Sequence, residues 1–134
     1  MANDVEVLRG LLARVKAATG PDPILDRYLC HALGVAPWAG TPAEHLGMCM
    51  PGSKMAKATP ALTASIDAAV ALVGRALPGW HWHACSDGYR EKLGGGACVF
   101  HGKDDFASGD AATTPLAICA ALLTALIAAE ADHG

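Results

Sequence analysis

Apolar residues recur at helical spacing in three stretches of the chain and almost without interruption in a fourth. Val5, Leu8, Leu11, Leu12 and Val15 share one face of a helix over about residues 3–18. After the break TGPDP, the residues Ile24, Leu25, Tyr28, Leu29, Ala32 and Leu33 line a second helical face. Asp22 is placed to cap that helix, Pro23 sits in the first turn, where its missing N–H costs nothing, and Gly34 is placed to stop it. These two helices, within residues 1–34, are expected to form a hairpin. Leu62, Ile66, Ala69, Val70, Val73 and Leu77 predict a third helix over about Thr63–Leu77, with Asp67 near the positive end of its dipole and Pro78-Gly79 as its end. A last helix is expected from Thr114 as the cap, through Pro115 at its first position, to about Glu130.

The rest of the chain follows a different pattern. Residues 35–61 hold four prolines and no periodicity, and a connection of that length in one domain is either mobile or functional. Trp38, Met48, Met50 and Met55 are available to tack it to the surface. Trp80 to Ser86 alternates as a strand does, SDG after it reads as a turn, and so does GGG at 94–96. Ala97 to His101 is a second strand; Tyr89 to Leu93 is a further strand or loop, and HGKDDFASGD reads as loop. The expected class is α+β, a small antiparallel sheet packed between α-helices, with an N-terminal helical hairpin before it and a helix–strands–helix core over residues 62–131.

Composition narrows the classes. At 134 residues the chain is one domain with enough length for a core of its own. Apolar residues make up 52%, but the aromatics are only three Trp, two Tyr and two Phe, so small side chains must bring elements close together to gain stability. Net charge is −3 and the ten basic residues form no cluster, which disfavours nucleic acid. The most apolar run, Pro115 to Ala129, is fifteen residues without a charge, short for a bilayer and right for a buried helix. With Asp4 and Glu6 where a signal peptide would be basic, the expectation is a cytoplasmic protein whose five cysteines are thiols.

Candidate chemistry gathers in one hairpin. Alternate side chains of a strand share a face, so Trp80, Trp82 and Ala84 point one way and His81, His83 and Cys85 the other. The two indoles demand burial, which makes Trp80 and Trp82, with Leu123 of the last helix, expected core residues. His81, His83 and Cys85 then form a candidate zinc set, structural or hydrolytic, if Cys98 or His101 joins from the next strand. Cys98 and His101 lie three positions apart and so on opposite faces, so only one of them can join. The competing reading is a wet sheet face that carries histidines, with Cys85 and Cys98 as small hydrophobes. GGGA lacks the lysine and context of a phosphate loop; Asp104, Asp105 and Asp110 lack the spacing of an EF-hand; Cys49, near Lys54 and Lys57, lacks a general base.

Three segments together resemble the phage ABA sandwich domain family, small proteins of phages and prophages. They are AATGPDPILDRYLCHALG, with its TGPD…LD helix start; TASIDAAVALVGRALPGWHWHACSDG, with the helix-to-strand junction Ser65 to Trp82; and AATTPLAICAALLTALIA, around Thr114 to Leu123. The resemblance covers most of residues 10–130 outside the middle loop; the histidines and cysteines near the first strand and MCMPGSKMAK depart from it. It implies an antiparallel sheet between helical layers and no activity. The leading expectation is a non-enzymatic phage or prophage accessory protein, a binding or assembly module in the host cytoplasm. A last helix apolar nearly all round favours a homodimer or other homo-oligomer, unless the first two helices cover it. The alternatives are a zinc protein built on the hairpin, and a sponge for a nucleotide or other small ligand with residues 36–61 as its lid.

Overall fold

The computed structural model describes residues 5–33, 61–85 and 94–133. Helix α1 is Val5–Ala17 and α2 Pro23–Leu33; α3 is Ile66–Ala76 and α4 Thr114–His133. The strands are β1 His81–Cys85, β2 Gly95–His101 and β3 Asp105–Ala111. The expectations for Gly34 and the connection after it, for Cys49 with its lysines, for the SDG turn and for Tyr89 to Leu93 lie outside the described residues. The α+β class holds: an antiparallel sheet in the order β1-β2-β3 packs against helices.

Side-chain caps set the helix starts. Asp22 Oδ1 accepts from the N–H of Ile24 and of Leu25, both at 3.1 Å, as the sequence predicts. Ser65, whose Oγ accepts from Ala68 N–H at 3.2 Å, starts α3 later than the apolar pattern suggests, because Leu62 to Ala64 form a turn. At α4 the cap is Thr113, one residue earlier than expected, with its Oγ1 3.5 Å from Leu116 N and its carbonyl accepting from Ala117 N–H at 2.9 Å.

Two strand assignments differ from expectation. Residues 105–111, read as loop, form the edge strand β3 and pair along their length with β2, from His101↔Asp105 to Gly95↔Ala111. Their composition of Asp, Ser, Gly and Ala has little strand preference, and the inward residues Ala107, Gly109 and Ala111 are too small to show a hydrophobic alternation. Gly95 and Gly96 are β2 residues rather than a turn. A Cβ on Gly95 would stand 2.5 Å from Thr114 N, so the glycine is what admits the start of α4 against the strand.

α4 runs through the middle of the core. It lies on β2 and β3, while α1 and α3 pack against it and α2 packs on α1. Every residue from Leu116 to Leu123 is at most 1% exposed. Its all-round apolar character is therefore satisfied inside one chain, with α1 and α3 as the cover, and burial of this helix requires no second copy. Leu123 is core, as expected, and Trp80 packs half-buried against it. Trp82 is not core: it is 44% exposed. Trp82 lies on edge strand β1, and α4 is centred over β2 and β3, so among the described residues little reaches out to cover it.

Candidate functional site

The register places the hairpin chemistry. Paired residues share a face, so Trp82, Val99 and Ala107 point to α4, as do Ala84, Ala97 and Gly109. The opposite face carries the rows His81–Phe100–Phe106 and His83–Cys98–Ser108. His81 and His83 are exposed, and the His81 ring lies 5.5 Å from that of Phe100. Cys98 stands directly opposite His83, whereas His101 falls on the other face and stacks on Trp80 with centroids 5.9 Å apart. The alternation read from the sequence is thus right in its geometry.

The candidate zinc set lies only partly within the described residues. Among the described residues no group of three or more His, Cys, Asp or Glu side chains converges to hold a metal ion. Cys85, the third member of the candidate set, has its side chain outside the description. Cys98, directly opposite His83 on that face, is 7% exposed. Asp110 stands apart from Asp104 and Asp105. Asp105 lies 3.7 Å from His101 Nδ1 at one end of β3, while Asp110 is 6% exposed and pairs with Gly96 near the other.

A groove of about 470 Å³ follows the outer edge of β3 and is lined by Leu12 and Lys16 of α1, Phe106 to Asp110 of β3 and Thr124 of α4. Phe106 at its end is 63% exposed, the most open large hydrophobic among the described residues. The sequence missed this edge because β3 was read as loop.

A second cluster also escaped the sequence reading. Asp26, Arg27 and Thr63 are each buried to within 6% exposure or less. Thr63 N–H donates to Asp26 Oδ1 at 2.8 Å, Asp22 N–H donates to Thr63 Oγ1 at 2.7 Å, and Thr63 Oγ1 in turn lies 3.3 Å from the Asp22 carbonyl. The start of α2 is thereby fastened to the turn before α3. Burial raises the Asp26 carboxyl above its ordinary value, against the pull of the Thr63 hydrogen bonds. Arg27, beside it, has no hydrogen-bond partner for Nε among the described residues. Cys119 donates its S–H to the Leu62 carbonyl at 3.6 Å. Burial, helped by the Asp26 carboxylate, pushes Cys119 up to about 12 and Cys30 to about 11. Both are protonated, weakly nucleophilic thiols at neutral pH, suited to packing and not to covalent catalysis. The signal that could have found this cluster is the pair Asp22 and Asp26, one turn apart at a helix start with Cys30 one turn further on.

Among the described residues no helix is long and apolar enough to cross a membrane. No protein-family model matches this chain, and no curated protein or solved structure matches it.

Proposed function

We propose that this chain is a non-enzymatic phage or prophage accessory protein, an assembly module that pairs with a second copy of itself along the edge of its sheet. The phage context rests on the resemblance of its three segments to the ABA sandwich domain proteins. The pairing is supported by one observation above others: among the described residues no strand pairs with the outer edge of β3, and Phe106 at its end is 63% exposed. An edge strand presents a row of unpaired N–H and C=O groups, and an exposed aromatic beside such a row fits a partner surface better than water. Antiparallel pairing of β3 with its own copy closes on a two-fold axis, so it stops at a dimer. Size-exclusion with light scattering tests the idea. The expected mass is twice the 13.7 kDa of one chain, and F106S, which removes the exposed aromatic, should return it to one. A mass of one chain at every concentration sinks the proposal.

A nucleotide sponge finds less support. The β3 groove offers one cation, Lys16, with Asp110 in the same lining, and phosphate recognition needs more positive charge than that.

A further inference from the structure

We propose that the cleft beneath the β2–β3 turn is a binding site for a small organic cation of the alkylammonium class. The cleft measures about 420 Å³ and is lined by Trp80, Asp104, Asp105, Phe106 and, from α4, Ala125, Ala128 and Ala129. The β2–β3 turn begins at Gly102, whose φ of 68° lets the chain reverse at once and hold the two carboxylates over the end of α4.

Each part of the lining selects for the same ligand. The charged groups in it are both carboxylates, and Lys103, exposed in the same turn, is not part of it. An anion is therefore repelled. A bare metal ion is poorly matched, because among the described residues no third acid, histidine or cysteine completes a set. Trp80 supplies the aromatic surface that attracts a cation most strongly, and its ring is held in place by stacking on His101 at 5.9 Å with 24° between the planes. His101 also reaches Asp105 at 3.7 Å, which steadies one of the two carboxylates. The alanines make a floor of methyl groups with room above it. A cation whose charge is spread over alkyl groups satisfies all three surfaces at once, the acids by charge, the indole by its π face and the methyls by apolar contact. The volume falls in the range of ordinary small-molecule sites.

The inference goes beyond the assembly reading: the cleft shares Asp105 and Phe106 with β3, whereas Trp80, Asp104 and the alanines lie outside that strand. The ammonium group has two sources, a free quaternary amine or the head group of a lysine-like primary amine.

The test is a nuclear magnetic resonance titration of the full chain with choline, with butylammonium and with the neutral tert-butyl isostere of choline. The Trp80 indole N–H and the methyls of Ala125 and Ala128 should shift saturably with at least one cation, about tenfold more tightly than with the neutral isostere. Preference for choline identifies a quaternary ligand, and preference for butylammonium a lysine-like one. D104N/D105N, which changes two exposed side chains, should weaken binding about tenfold with an unchanged melting temperature. A128L should abolish binding by filling the cleft. Equal affinity for the neutral isostere, no saturable shift with either cation, or full affinity in D104N/D105N overturns the proposal.

Discussion

Gly109 of β3 and Ala120 of α4 stand so close that a Cβ built on the glycine would lie 2.7 Å from the Ala120 methyl and 2.5 Å from the backbone nitrogen of Ala121. Nothing longer than a hydrogen fits between strand and helix at this point. The contact explains how a chain with few aromatics builds a core: where side chains are small, backbones approach and many weak dispersion contacts form.

Gly109→Ala should therefore destabilise the protein by about 1–3 kcal/mol in urea unfolding, toward the upper end because the nearer neighbour is backbone and cannot turn aside. Adding Ala120→Gly should recover only part of the loss, since it clears the methyl and leaves the Ala121 nitrogen in place. Full recovery, or no coupling between the two changes, would show that the approach is looser than this geometry.

Asp26 allows a test with opposite signs in two variants. Its carboxyl is raised in the folded protein, so this group stabilises most when protonated, and that contribution is lost as pH rises through the folded value. Asp26→Asn keeps an acceptor for the Thr63 N–H and removes the buried charge. Its melting temperature should exceed that of the wild type at pH 7, and the difference should vanish in acid. Asp26→Ala leaves the Thr63 N–H buried and unpaired and should cost about 1–3 kcal/mol. Melting curves across the acid range read both outcomes.

The two buried thiols define an alkaline limit. Unfolded cysteines ionise from about 9, whereas folded Cys30 and Cys119 hold their protons to about 11 and about 12. The unfolded state thus gives up protons first, and the stability these thiols contribute falls as pH climbs through that window. Cys119→Ala should flatten the decline of melting temperature above pH 9. Native protein at pH 8 should react with a thiol reagent at Cys30 and Cys119 only as fast as it opens.

The histidine face makes a contrasting prediction. His81 and His83 are exposed and carry no part of the core, so replacing both with alanine should change stability by no more than about 0.5 kcal/mol. A larger loss that disappears after treatment with a chelator would point to a bound metal.

How much of this was legible beforehand depends on side-chain size. Three helices are visible because Leu, Ile and Val repeat at the helical period, α4 because an unbroken apolar run follows Thr114-Pro115, and Asp22 is recognisable as a cap because its type and place both fit. The alternation of β1 was visible through its tryptophans and histidines. β3 was not, since Ala107, Gly109 and Ala111 carry no hydrophobic rhythm and only the partner strand makes them a strand. Trp82 was misplaced because periodicity gives the face of a strand and says nothing about its position in the sheet; an indole pointing the right way at an edge still meets water. The node of Asp22, Asp26 and Thr63 joins positions 37 and 41 residues apart, and no local pattern carries that information.

The central place of α4 governs the order of events during synthesis. Until α4 is made, β2 and β3 lack the helix that covers them, and α1 and α3 lack the surface they share. Hairpins and single helices of that kind are marginal in water, so the layers gain their shared support only once the alanine-rich helix is in place between them.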